Sequence, residues 1–208
     1  METILVFTGG DAPPGGVLED LPNPDLVVAA DSGYDSARAL GFAVDVIVGD
    51  MDSIATTEIP DHVIVERHSP EKDATDLELA LKLAVRDHPA RIVVVGGSGG
   101  RLDHEIGIAH LLCSPRWADV EEIDWIHARG RAHVIHQRRI LHGDLGSTLS
   151  LLPVGGHATD VSTTGLKWNL DDETLSHDDT RGISNVMVSP VADIRVGRGC
   201  LLAVFPLA

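Results

Sequence analysis

The sequence predicts an α/β fold in which an N-terminal Rossmann-like parallel-sheet domain is followed by a small all-β sandwich domain. Three observations carry this. Short apolar runs alternate with loops and helical patterns up to about residue 115, the pattern of a parallel sheet covered by helices. Those runs are continuously apolar, as expected of strands buried on both faces. After about Asp119 the helical period disappears, and β-rich runs separated by turn signals take over, which reads as a sandwich. The division is set at residues 1–125 and 126–208.

The elements follow in order. Residues 4–7 form a buried first strand that ends at Gly9-Gly10. Residues 11–24, rich in Gly and Pro, form an irregular loop. Residues 26–30 are a second strand, closed by Asp31, and a short helix covers 33–40. Residues 44–48 are a third strand running into Gly49-Asp50-Met51-Asp52-Ser53, and 62–65 a fourth. The clearest helix spans 75–87. Its Leu77, Ala80, Leu81 and Ala84 recur at i, i+3, i+4 and i+7, and Thr75 with Glu78 fits a capping box that puts Asp76 in the first turn. Residues 92–95 are a fifth strand feeding Gly96-Gly97-Ser98-Gly99-Gly100-Arg101-Leu102-Asp103, and a helix then runs to about Leu112. Beyond it, β-rich runs occupy 123–127, 133–136, 148–152, 185–188, 192–196 and 200–205.

Composition narrows the function. Of 208 residues 43% are hydrophobic, enough for a core, but only 3% are aromatic, so Val, Leu, Ile and Ala must fill it. A formal net charge of −16 argues against nucleic acid and anionic membranes as partners, since both require a basic surface. Two cysteines far apart in sequence suggest a reduced, cytoplasmic protein. No signal-peptide pattern is expected at the N-terminus, and no apolar run nears the roughly 20 residues of a membrane span.

Three acidic loops carry the candidate chemistry. In open α/β sheets ligands bind beyond the carboxyl ends of the strands. Asp50 and Asp52 follow a strand, and in extended backbone residues two apart face the same way. Two such carboxylates call for a cation, and Mg²⁺ suits oxygen ligands; an Asp-rich turn is the equally weighted alternative. Asp73 and Asp76 form a second patch, where Asp76 is also what a helix dipole favours. In the third, glycines would let backbone N–H groups approach a phosphate, with Arg101 as a planar donor; a flexible connector capped by Asp103 is the alternative. The scattered histidines, including His133 and His136, read as structural.

Taken together, Ala30-Asp31-Ser32-Gly33, Gly49-Asp50-Met51-Asp52-Ser53, Lys72-Asp73-Ala74-Thr75-Asp76-Leu77-Glu78 and Gly97-Ser98-Gly99-Gly100-Arg101-Leu102-Asp103-His104, with Gly165-Leu166-Lys167-Trp168-Asn169-Leu170 and Gly182-Ile183-Ser184-Asn185, resemble the thiamine pyrophosphokinase (thiamine diphosphokinase) family in order and spacing. The resemblance implies an ATP-binding α/β domain, a β-sandwich that binds thiamine, and a homodimer with active sites at the subunit interface. It implies transfer of the diphosphate of ATP to the thiamine hydroxyl, giving thiamine diphosphate and AMP. By position it makes Asp50, Asp52, Asp76 and Asp103 the catalytic and Mg²⁺-binding carboxylates. It places Gly9, Gly10, Asp31, Asp73, Gly99, Gly100 and Arg101 at the nucleotide, and Trp168, Ser184 and Asn185 at thiamine. The chain departs from the family pattern at Met51, at Ser32 and in the polar stretch His177-Asp178-Asp179-Thr180-Arg181. The alternatives are a diphosphokinase for another small alcohol, such as a hydroxymethylpterin, and a non-catalytic nucleotide- or thiamine-binding regulator.

Overall fold

The computed structural model describes residues 2–13, 21, 23–56 and 58–207; much of the irregular loop expected over 11–24 therefore lies outside the described residues. The chain divides into two compact units, Met1–Glu105 with Ile123–Arg129, and Ile106–Glu122 with Gly130–Ala208. No helix among the described residues is long and apolar enough to cross a membrane.

The first unit is built on parallel strands β1 (Thr3–Phe7), β2 (Leu26–Ala30), β3 (Val46–Gly49), β4 (Ile64–Arg67) and β5 (Arg91–Val95). They are ordered β5-β1-β2-β3-β4, with β6 (Glu122–His127) beside β5. The parallel registers run Val6 with Val28, Val28 with Val46, and Val46 with Ile64 on one side, and Val6 with Val94 on the other. The chain thus leaves β1 toward β2 and later returns to β1's other edge, which makes the β1/β5 boundary a topological switch point. The run at 123–127, grouped by sequence with the β-rich C-terminal half, instead extends this sheet.

Both faces of the sheet are covered, which is why its strands lack alternation. Leu5, Phe7, Ala29, Ile47, Val93 and Val95 form one buried cluster with Tyr34 and Ala37 of α1 (Gly33–Ala39). The alternate residues Ile4, Val6, Val28, Val48 and Val94 are equally buried and point to the opposite face. Helix α2 (Asp76–Ala84) buries its expected stripe of Leu77, Ala80, Leu81 and Ala84 against β1, β2 and β3. Thr75 Oγ1 accepts the Glu78 N–H at 3.2 Å, so the predicted cap forms; the last predicted turn, Val85–Asp87, tightens to a 3₁₀ helix.

At the amino ends of the strands, acidic side chains close the backbone: Asp25 accepts the Thr3 N–H and Asp45 the Val27 N–H, each at 2.8 Å. Helix α3 (Leu102–Leu112) begins as predicted.

The second unit holds two antiparallel sheets. One has the order β12 (Asn185–Val186), β9 (Thr148–Pro153), β14 (Leu201–Pro206), β7 (Gly130–Ile135). The other has β11 (Glu173–Leu175), β10 (Ala158–Thr164), β13 (Val191–Arg195), β8 (Arg138–His142). Leu149, Leu151, Leu201 and Ala203 from the first and Leu141, Val161, Ala192 and Ile194 from the second share one core. That is the sandwich the sequence predicts. Three of its strands escape the sequence pattern. In β8 Arg139 is buried alongside Leu141 and paired with Glu122 at 3.1 Å, while Ile140 faces out. In β10 the register shifts between Ala158 and Val161, with Asp160 at positive φ, so the period breaks. Strand β11 spans only three residues. Cys113 and Cys200 are both free and buried in this unit.

Candidate active site

The carboxyl ends of β2 and β3 bring the acidic residues together. Asp31 follows β2, and its N–H donates to Val48 O at 3.0 Å. Asp50 follows β3 directly. Single oxygens of Asp31, Asp50 and Asp52 lie within 4.8 Å of one another. Asp76, at the start of α2, comes to the same place: a Cβ on Gly49 would stand 3.1 Å from Asp76 Oδ1 and 3.2 Å from Asp31 Cβ. Gly49 therefore lets the two acids approach across the end of β3.

The Asp50–Asp52 segment is not extended. Met51 has φ 70°, and the Asp52 N–H donates to Asp50 Oδ1 at 3.2 Å, an Asx-type turn. The turn and the shared site coexist, because the turn itself folds the two carboxylates toward each other. Met51 packs on the first-unit core and anchors it. Asp35 of α1 holds the chain beyond it, accepting the Ala55 N–H at 2.8 Å and bonding the Thr56 hydroxyl. Asp31 and Met51 adopt positive φ, as do His88, Asp160, Asp172 and Ser184 elsewhere among the described residues.

Charge is unevenly balanced here. Burial pushes the Asp31 carboxyl above its ordinary range, the nearby charges of Asp76 and Asp50 add to this, and hydrogen bonds from Ser53 and Ser32 oppose it. Asp31 Oδ1 is buried without a hydrogen-bond partner. Asp50 is held below its usual range by the Asp52 N–H, with Lys72 assisting. Lys72 Nζ pairs with Asp76 Oδ1 at 2.6 Å. Lys72 precedes α2, so the loop before the helix, not helical spacing, brings it onto Asp76. Asp31's place at a strand end is legible in the sequence; the family resemblance sets it at the nucleotide, and the structure puts one of its oxygens beside those of Asp50 and Asp52. An all-oxygen donor set with an unsatisfied buried oxygen fits a hard divalent cation.

The glycine loops meet at the switch point. Gly97 N–H donates to Gly9 O at 2.8 Å and Asp11 N–H to Ser98 O at 2.7 Å. A Cβ on Gly10, at φ 112°, would stand 2.4 Å from Ser98 O, so only glycine permits this contact. Gly99 N–H is taken by Glu105 Oε1 at 3.0 Å, whereas nothing would meet a Cβ on Gly100. Arg101 and Asp103 pair with each other at 2.6 Å while 71% and 62% exposed, and this contact holds the Asp103 carboxyl below its usual range. Asp103 is not among the carboxylates that converge with Asp31. Asp73 is exposed beside the start of α2.

In the second unit Trp168 is 56% exposed, with Lys167 Nζ 4.6 Å from its ring centroid. Asn185 is buried and clamps the Trp168 backbone, accepting its N–H at 3.1 Å and donating to its carbonyl at 2.7 Å. Its amide thus holds the Trp in position. Ser184 is exposed, and its N–H donates to Ser150 Oγ at 3.0 Å.

Comparison with known proteins agrees with this architecture. Residues 19–123 match the thiamin pyrophosphokinase catalytic domain and residues 132–201 the thiamin pyrophosphokinase vitamin B1 binding domain. Thiamine pyrophosphokinase 1 of Oryza sativa subsp. japonica is 30% identical over 183 residues, 79% of this chain and 66% of the relative. Thiamine pyrophosphokinase 3 of the same plant is 29% identical over 70% of this chain and 59% of its own length. The chain thus spans somewhat less than two thirds of these plant relatives. The fold is shared with a crystal structure of thiamine pyrophosphokinase from Bacillus subtilis, at a TM-score of 0.84 and 24% identity over 99% of both chains. With the two domain models together covering most of its length, this chain belongs to the thiamine pyrophosphokinase family.

Proposed function

We propose that this protein is a thiamine diphosphokinase, transferring the diphosphate of ATP to the thiamine hydroxyl and releasing AMP. The observation that carries the reading is the convergence of Asp31, Asp50 and Asp52, with Asp76 across Gly49, at the carboxyl ends of adjacent parallel strands. Phosphoryl-type transfer needs positioning and charge neutralisation more than covalent chemistry. Asp31, Asp50 and Asp52 would hold Mg²⁺, which when bound neutralises developing charge on phosphate oxygens. Asp76 and Asp103 complete the acidic set, and one of them accepts the hydroxyl proton. The loops at Gly9-Gly10 and Gly99-Gly100 would bring backbone close to the nucleotide, with Ser32 Oγ packed against Gly9 and the Asp11 carboxylate against Gly99, and Arg101 exchanges Asp103 for a phosphate oxygen.

Trp168 offers an exposed ring face on which Lys167 already rests. A thiazolium cation would occupy such a face in the same way. Replacing Trp168 with Ala is expected to raise KM for thiamine about tenfold with little change in kcat, in line with roughly 1–2 kcal/mol for a cation–π contact. A hydroxymethylpterin substrate would leave that contact without purpose, and thermal shifts with thiamine and with a pterin, each beside a nucleotide analogue, separate the two. The homodimer implied by the family resemblance belongs to the same proposal and is checked by sedimentation.

The direct test is mass spectrometry of a reaction with ATP and thiamine. Thiamine diphosphate and AMP should form in equal amounts and vanish with excess EDTA. Full turnover in EDTA, or ADP in place of AMP, would sink the proposal.

A further inference from the structure

The second unit carries another cluster that the diphosphokinase reading does not use. His157 lies in the turn before β10, and Ser176, His177 and Asp178 follow β11. Ala158 pairs with Leu175 across the antiparallel β10/β11 ladder, so one step along the register sets His157 against Ser176. Gly199 fixes the backbone beneath: a Cβ there would stand 2.4 Å from His157 O. The position of both segments is thus set by strand pairing, although the side chains themselves are exposed.

The side chains turn their acceptors toward one point. His157 Nδ1 and His177 Nδ1 are 3.3 Å apart, with the rings edge to face at 4.6 Å. Ser176 Oγ is 2.8 Å from His157 Nδ1 and also bonds the Asp178 carboxylate. The His177 N–H points at His157 Nδ1 as well, at 3.4 Å. Both imidazole nitrogens and a carboxylate oxygen lie within 4.8 Å of one another. With the single proton of each neutral imidazole on Nε2, both Nδ1 lone pairs and the Asp178 carboxylate are open to one shared cation.

The dimensions select the cation. Two nitrogens bound at about 2.0–2.1 Å to a tetrahedral ion stand about 3.3 Å apart, the separation these atoms already have. Two imidazoles and one carboxylate suit Zn²⁺, Ni²⁺ or Cu²⁺ rather than Mg²⁺, which takes oxygen donors. Three protein ligands on an exposed rim leave a fourth position for water. We infer that His157, His177 and Asp178 form a surface site for a first-row transition metal ion of the Zn²⁺ type, separate from the carboxylates of the first unit.

Zn²⁺ titration against a chromophoric chelator tests this, with millimolar Mg²⁺ present to occupy the oxygen-only site. Wild-type protein should take up about one equivalent of Zn²⁺. His157→Gln and His177→Gln should each weaken that uptake at least tenfold, since even an outer-shell partner of a metal is worth roughly 10–100-fold. Asp178→Asn should weaken it less. Because all three side chains are exposed, the variants should melt with the wild type in the absence of Zn²⁺, while added Zn²⁺ should raise only the wild-type Tm. No uptake by the wild type, or uptake of equal strength in both histidine variants, would overturn the assignment.

Discussion

Two acidic sites of the first unit are built in opposite ways. Asp31, Asp50, Asp52 and Asp76 are brought together by β2, β3 and the start of α2, and one of their oxygens, Asp31 Oδ1, is buried without a partner. Asp103, in the first turn of α3, instead spends its charge on Arg101 at the surface. The first arrangement costs the fold something, because it concentrates negative charge and buries part of it. The second costs nothing. The same contrast runs along the strands themselves: Asp25 and Asp45, at their amino ends, simply close backbone N–H groups. Asp103 has its charge balanced by Arg101 in the free protein, whereas the carboxylates held together against repulsion suit the cation proposed above.

The strongest test of that contrast is to remove single charges. Asp50→Asn or Asp52→Asn should lower kcat/KM by about 10²–10³, the scale of losing one electrostatic group in a preorganised site, and should also weaken Mg²⁺ binding to the free protein. Asp103→Asn should lower kcat/KM by roughly 10²-fold, within the range of one acid–base group, yet leave Mg²⁺ binding to the free protein unchanged. Titration calorimetry beside steady-state kinetics reads both. If Asp103→Asn weakens the free protein's Mg²⁺ binding as much as Asp50→Asn does, the two sites are one and the contrast fails.

Much of this was legible in the sequence, because strand ends and helix starts announce themselves. The apolar runs before Asp31 and Asp50 located β2 and β3, and the stripe through Leu77 and Ala84 located α2 with Asp76 at its start. What periodicity cannot carry is the third dimension. That Gly49 lies between Asp31 and Asp76 depends on parallel registers between segments distant in sequence, whereas the reversal at Met51 between Asp50 and Asp52 is local and was one of the two readings the sequence allowed. The strands that escaped notice failed for local reasons. A buried Arg139 beside an outward Ile140 obscures the pattern of β8, and the bulge at Asp160 breaks that of β10.

The counterions sharpen the comparison further. Lys72 sits on Asp76 with side chains only 16% and 25% exposed, beside three more carboxylates. Lys72→Met leaves Asp76 partly buried without its cation, and removing one partner of such a pair costs about 1–3 kcal/mol. The denaturant midpoint should fall accordingly, and Mg²⁺ should recover part of the loss by binding the folded state. If the midpoint does not move, the acids are better solvated than their packing around Gly49 implies.

Arg101→Ala is the matching change at the other site, and its effect on stability should be the smallest. Both members of that pair are exposed, their attraction is screened by water and salt, and α3 loses no packed side chain. The urea midpoint should coincide with that of the wild type. What should move is KM for ATP, which rises if the guanidinium exchanges Asp103 for phosphate on binding. Asp103 would then be uncompensated before the nucleotide arrives, so the nucleotide on-rate should fall and should rise more steeply with ionic strength than in the wild type. A variant with unchanged KM and an unchanged salt dependence would place Arg101 outside the nucleotide site, and would leave Asp103 as a helix-start residue whose partner was only ever its neighbour.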